Sequence, residues 1–262
     1  MPKEPLCIVG TGKVAQALIK NLKAYYLLHI TSPSEDRAQE LAEKYGINHI
    51  PYGNPLPHGR VIIVRKDADI EKTSEEISQF APFTSHIHMS GMLSSDVLSS
   101  EKRCSMHPIM SITPDTSFQG VLFAVEGHID ICTDIIDALG GKYFQIDTEK
   151  KAIYHTALVF ISNFTALNTL MGLALLREVG TLPPEIVDSV RNLSYTSIDN
   201  VLKYGKDGLT GPAARGDHET IEIEASLLDG FLRELYILQS DVIYKLHSGG
   251  GDNSEKDDSS KI

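Results

Sequence analysis

The chain has 262 residues, 42% of them hydrophobic and 23% charged, with a formal net charge of −11, which is enough material for a sizeable core and two domains. An acidic balance without a basic cluster excludes a nucleic-acid partner, because such binding rests on neutralising phosphates. No apolar stretch is read as approaching a membrane span and residues 2–5 make no signal peptide, so a soluble, cytoplasmic protein with no membrane partner is expected.

An apolar strand at 6–9 runs into Gly10-Thr11-Gly12-Lys13-Val14-Ala15 and then a helix at 16–23. This is G-x-G-x-x-A between a strand and a helix, the setting a dinucleotide-binding turn requires. The first glycine allows the tight turn, the second admits a pyrophosphate to the backbone, and Ala15 keeps helix and strand close. The helix N-terminus adds unpaired N–H groups and partial positive charge. Gly10, Thr11, Gly12, Lys13 and Val14 are therefore the candidate pyrophosphate residues; a purely structural turn is the other reading of the same glycines.

The second strand is predicted at 25–30. About 20 residues past the first glycine, NAD-binding domains usually carry a carboxylate for the ribose 2′-hydroxyl. Here the chain reads Thr31-Ser32-Pro33-Ser34, with Arg37 beyond. Hydroxyls and a guanidinium suit a 2′-phosphate, so NADP(H) is the expected cofactor. Glu35 and Asp36 argue against it, and an ordinary polar loop capping a helix at 36–45 is the alternative.

Strands and helices then alternate as a parallel sheet demands: strand 60–65, helix 69–80, strand 85–89, strand 120–126, helix 129–139 closed by Gly140-Gly141, and strand 143–146. Residues 1–147 are thus read as an α/β dinucleotide-binding domain with a Rossmann-like parallel sheet. A long apolar-periodic helix follows at 148–179, with Thr148 as N-cap and Gly180 at its end. A second helix runs from Pro183-Pro184 to Gly205, and a third covers 218–247. The second domain, 148–246, is therefore all-α. Its first helix is more apolar than one small domain needs, so a homodimer joined through the helical domain is expected. The remainder, 247–262, is polar and glycine-rich and reads as a disordered tail. Cys7, Cys104 and Cys132 lie far apart in sequence without a C-x-x-C pair, and the ten histidines lack ligand spacing; neither a disulfide framework nor a metal site is indicated.

Three segments concentrate chemically capable residues: His88-Met89-Ser90-Gly91 at the carboxyl end of a strand, 105–111 around His107-Pro108, and the loop 209–217. Together with the turn "VGTGKVAQAL", the stretches "HMSGMLSSDVL", "SMHPIMSI", "FAVEG", "YHTALVFISNF" and "LTGPAARGD" resemble successive signatures of a bacterial family that pairs a Rossmann-like domain with a helical domain of unknown function. That family is similar in architecture to the 6-phosphogluconate dehydrogenase-like reductases, which include ketopantoate reductase and pyrroline-5-carboxylate reductase. The resemblance implies this fold and a nicotinamide cofactor. Where many relatives carry an apolar-Pro pair after the fourth strand, this chain has Arg65-Lys66; these two cations are read as contacting a phosphate or the substrate, or as lying at the surface, with Arg65 assigned to the cofactor.

Lys151, His155 and Asn163 share one helical stripe at a spacing of four. Reduction of a carbonyl needs a proton for the developing alkoxide, and histidine donates near neutral pH. His155 is thus read as the proton donor or as a core histidine satisfied by a backbone carbonyl. Asn163 would hold the substrate oxygen or the nicotinamide carboxamide, or merely bridge helices. Related reductases commonly use a lysine in this domain, so the resemblance keeps Lys151 as the rival donor. His107, its backbone biased by Pro108, either aims at the substrate or forms a turn with a solvated ring. Ser90 and Thr210 offer hydroxyls, and Arg215 is the natural anchor for a small-molecule carboxylate substrate. Asp217 is expected to cap the last helix or to orient Arg215 rather than act in chemistry. The expected activity is NADP-dependent reduction of a small 2-oxo acid, ketopantoate first. The alternatives are cyclic-imine reduction and a non-catalytic NADP sensor.

Overall fold

A computed structural model describes residues 3–249. The tail expectation for 247–262 falls almost wholly outside the described residues. The first part of the chain builds β1 (Pro5–Val9), α1 (Lys13–Leu22), β2 (Leu27–Thr31), α2 (Glu35–Tyr45), β3 (Asn48–His49), β4 (Gly59–Ile63), α3 (Asp67–Phe80), β5 (Thr84–His88), β6 (Arg103–Pro108), β7 (Leu122–Gly127), α4 (Thr133–Ala138) and β8 (Lys142–Gln145). Their single sheet has the order β3-β2-β1-β4-β5-β6-β7-β8. The expected α/β class holds.

The period of two along the strands fixes which helix covers which face. In β1, Leu6 and Ile8 pack with Leu18, Leu41 and Ile135, from α1, α2 and α4. Cys7 and Val9 point the other way, into a core with Ile70 and Ile77 of α3. Both faces are covered, which is why the strands read as nearly continuous apolar runs.

Two strands escape the sequence pattern. β3 is only two residues long, and β6 lacks a valine, isoleucine or threonine and ends at Pro108. β6 pairs with β7 antiparallel, against the expected parallel alternation, matching Cys104 to Gly127 and Pro108 to Phe123. The residues around His107 thus lie in a strand, not in a turn. The pairing also brings together thiols distant in sequence: Cys104 and Cys132 are free, buried and 3.0 Å apart at sulfur.

The chain divides into two compact units with the boundary between Ala166 and Leu167. The helix predicted at 148–179 therefore contributes its first turns to the nucleotide-binding unit. It is not one uniform helix. A 3₁₀ turn at Thr148–Lys150 leads into α5 (Lys151–Val159), a π turn at Phe160–Phe164 and then α6 (Thr165–Glu178). Asp147, not Thr148, stands at the N-cap of the 3₁₀ turn, and the Thr148 hydroxyl instead donates to Glu126. This Thr148–Glu178 stretch has 31 residues and a mean hydropathy of 1.6, long and apolar enough by length and composition to cross a membrane. The sequence reading that no stretch approaches that length is thereby corrected. Ile153, Phe160, Ile161 and Leu170 on it are each more than 60% exposed.

The second unit contains α7 (Ile186–Tyr204), α8 (Pro212–Arg215), α9 (His218–Ser226) and α10 (Gly230–Ser248). The single helix expected at 218–247 is broken, because Asp229 is extended as the N-cap of α10 and Gly230 sits at φ +52°. Both are poor helix formers, and glycine tolerates the left-handed region.

Candidate active site

The β1–α1 turn is built as a dinucleotide turn must be. Gly10 has φ +131°, and any Cβ there would collide with the Val64 carbonyl oxygen. Its amide donates to the Thr31 carbonyl at 3.0 Å, tying the turn to β2. Gly12 caps α1 without any side-chain bond to the helix amides, and no atom lies within 4 Å of its missing Cβ. Open space over free N–H groups at a helix N-terminus is what a diphosphate requires. The helix starts at Lys13, earlier than predicted, so the backbone N–H groups of Lys13 and Val14 belong to that first turn.

Thr11, Gly12, Lys13 and Val14 form one wall of a cavity of about 580 Å³. Arg65 and Lys66, after β4, line it, as do Met89, Ser90 and Gly91, after β5, and His155 from α5. Carboxyl ends of parallel strands are where open α/β sheets take ligands. Arg65 reaches Asp69 at 3.6 Å, and its Nε is buried without a hydrogen-bond partner among the described residues. At the end of β2, Thr31 and Ser32 are buried and Arg37 is exposed on α2. The Thr31 hydroxyl has no hydrogen-bond partner among the described residues, while Ser32 Oγ accepts from the Ser34 amide at 3.2 Å. The Glu35 carboxylate, which the sequence placed against a 2′-phosphate, is bonded to His49 and the Tyr52 amide.

Gly91, in the cavity wall, stands against two imidazoles. A Cβ at Gly91 would run into His155 Cδ2 and would stand 2.8 Å from His107 Nε2. The two rings lie 6.0 Å apart, edge to face. His107 Nδ1 is 2.8 Å from the Tyr154 hydroxyl. Burial, aided by the charges of His155 and Lys151, pushes His107 down to about 4, so its ring is neutral. His88 is held lower still, at about 3, by burial and by Lys151. It accepts from the Ser90 amide at 3.1 Å, and its Nε2 lies 3.1 Å from the Ser94 carbonyl oxygen. Ser90 Oγ accepts from the amides of Met92 and Leu93, so this hydroxyl shapes the turn that carries Gly91.

Lys151 lies behind that turn, not in the cavity. It is 1% exposed, hydrogen-bonds the Leu93 carbonyl and Ser105 Oγ, and stands 3.4 Å from the Glu126 carboxylate. Burial pushes it down to about 8, with Glu126 opposing. Glu126 is equally buried and accepts from the Ser95 amide at 2.7 Å, Ser95 Oγ at 2.8 Å and the Thr148 hydroxyl at 3.2 Å. Ser105 Oγ in turn donates to the Ser90 carbonyl at 3.4 Å.

Of the predicted stripe, Lys151 and His155 share α5, but of Lys151, His155 and Asn163 only His155 lines the cavity. Asn163 lies in the π turn and is exposed, its Oδ1 accepting from Ser162 at 2.8 Å. Thr210 and Arg215 are exposed in the second unit. Asp217 caps α9 as expected, accepting from the Thr220 amide at 3.1 Å. Glu126 and Tyr154 were missed in the sequence, and Gly91 was named there only as part of a strand-end segment. Glu126 was legible as a carboxylate inside an apolar strand; Tyr154 and the wedge role of Gly91 carried no signal, since their partners come from other elements.

Residues 5–79 match a family described as NADP oxidoreductase, coenzyme F420-dependent, and residues 121–243 match a domain of unknown function, DUF2520. No curated protein matches the chain. Among solved structures it is similar to protein TM1727 from Thermotoga maritima, with 28% identity over 94% of this chain and 99% of that one, and a TM-score of 0.70. An imine reductase from Myxococcus stipitatus in complex with NADP+ shares 15% identity over 94% and 93% of the two chains, at a TM-score of 0.64. The 1-pyrroline-5-carboxylate reductase of Streptococcus pyogenes shares 18% over 92% and 98%, at 0.58. These last two likenesses are of fold. The nucleotide-binding segment is similar to NADP-dependent oxidoreductases, and the DUF2520 match takes in β7, α4 and β8 of the sheet as well as the helices that follow.

Proposed function

We propose that the protein reduces a C=O or C=N bond of a small carboxylate substrate with NADPH, and that His155 delivers the proton. The carrying observation is the single cavity that brings His155 to the glycine turn and to the strand-end residues Ser90 and Gly91. When bound, NADPH supplies the hydride. The chain's residues do the rest: the Gly10–Val14 backbone and the α1 N-terminus hold the pyrophosphate, while Thr31, Ser32 and Arg37 receive the 2′-phosphate. Arg65 and Lys66 add positive charge to the same cavity. Arg215 is the proposed carboxylate anchor. Lys151, with its hydrogen bonds committed inside the fold, is not favoured as donor, and Asn163 has no support from its own surroundings.

Two substrate classes follow. Ketopantoate leads the 2-oxo acids. Cyclic imines such as 1-pyrroline-5-carboxylate are the second class, favoured by the likeness of fold to imine and pyrroline-5-carboxylate reductases. Oxidation of NADPH against a panel of both classes separates them. His155→Ala lowers kcat by about 10²–10⁴ on the true substrate with NADPH affinity kept. Arg215→Lys mainly raises KM, since a point charge cannot reproduce a bidentate contact. Tight NADPH binding with no turnover on any member would favour a sensor.

The exposed apolar helix 148–178 is proposed to be the contact of a soluble homodimer.

A further inference from the structure

We infer that His107, held by Tyr154, is a neutral hydrogen-bond donor that presents its Nε2–H to a carbonyl oxygen of the bound ligand. The 2.8 Å contact between Tyr154 and Nδ1 has two possible directions. A phenol is a strong donor and a weak acceptor, and imidazole nitrogen is the better base, so the tyrosine donates. Burial pushes the Tyr154 hydroxyl up to about 12, which keeps its proton in place. With Nδ1 accepting, the one proton of a neutral imidazole belongs to Nε2. That nitrogen has no hydrogen-bond partner among the described residues, and it faces the Gly91 wall beside His155.

The glycine gives this arrangement its opening, because a side chain at Gly91 would occupy the space in front of both rings. The charged and titratable groups around His107 are Lys151, Tyr154 and His155 from α5 and His88 from β5. A neutral donor in this setting polarises a carbonyl oxygen without giving up its proton, while His155 is left to move one. His107 is then a binding residue and Tyr154 a positioning residue that acts through it. The acceptor is a carbonyl oxygen, either the nicotinamide carboxamide or the substrate; naming these rests on the reductase reading, whereas the tautomer does not.

The test uses full-length protein labelled with ¹⁵N-histidine, with the imidazole signals of His107 assigned through His107→Gln. The expected tautomer is Nε2–H around neutral pH, and Tyr154→Phe shifts it towards a mixture. NADP+ alone moves the Nε2 signal if the carboxamide is the acceptor; if the substrate is, the signal moves only when oxamate, an unreactive 2-oxo acid amide, is added to the NADP+ complex. On a substrate found by turnover, His107→Gln keeps a donor near Nε2 and stays within about tenfold of wild-type kcat, whereas His107→Asn loses about 10²–10³. A wild-type Nδ1–H tautomer, a tautomer indifferent to Tyr154→Phe, or a Nε2 signal unmoved by both additions overturns the inference. If no substrate is turned over, the reductase reading fails while the tautomer and NADP+ measurements still decide this one.

Discussion

The buried Lys151–Glu126 pair makes a quantitative prediction about stability against pH. Lys151 titrates near 8 in the folded chain, because burial penalises its charged form more than Glu126 rewards it. An unfolded lysine titrates near 10.4. The folded pKa is depressed, so between the two values the unfolded chain holds a proton that the folded chain has lost, and stability rises with pH. Integrating a shift of about 2.5 units gives a penalty of roughly 3 kcal/mol at pH 7, of which about 2 kcal/mol is relieved by about pH 9.5. The shift needs no discount for solvent, since the side chain is 2% exposed. Lys151→Met deletes this term, and it also leaves the Glu126 carboxylate without its cation. Breaking a buried pair from one side costs about 3–5 kcal/mol. The variant is thus less stable at neutral pH, and the gap widens by about 2 kcal/mol at the higher pH. Urea unfolding of both proteins at the two pH values measures this, with titrating groups away from the Lys151–Glu126 pair cancelling in the difference. Parallel pH dependences, or a gap that narrows, would refute the burial argument and return Lys151 to consideration as a solvent-connected proton donor.

Gly91→Ala pushes its methyl into His155 and His107; turnover should fall about 10²-fold through misplacement, while NADPH affinity, measured by nicotinamide fluorescence, changes little. NADPH should bind more tightly than NADH, and Arg37→Glu should erase most of that preference; equal affinities in the wild type would show that the β2–α2 loop does not read a 2′-phosphate. Sedimentation in detergent-free buffer should give twice the chain mass, and Leu170→Asp, placed on the exposed apolar helix, should yield monomer. Insolubility of the wild type without detergent would instead turn attention to the membrane-length character of that helix.

The nucleotide half was legible because its signals are local. Gly10 is required by a positive φ and the Val64 carbonyl, and the twofold alternation of β1 assigns Leu6 and Ile8 to one core and Cys7 and Val9 to the other. Such demands are written into a few consecutive residues. β6 was not legible, since Arg103 to Pro108 has no β-branched residue and its antiparallel direction is set by pairing with β7. Spacing by four put Lys151, His155 and Asn163 on one stripe, but Lys151 is buried, Asn163 is exposed and only His155 lines the cavity. What packs against each turn of that helix decides this, and a linear pattern does not contain it. Lys151 shows the division most clearly: the sequence offers a cation four residues before a histidine, and either is fit to donate a proton. Only the tertiary structure brings Glu126, Ser105 and the Leu93 carbonyl around the lysine and leaves His155 at the cavity. What separates the two side chains is desolvation and hydrogen bonding by residues distant in sequence, and those exist only once the sheet has formed.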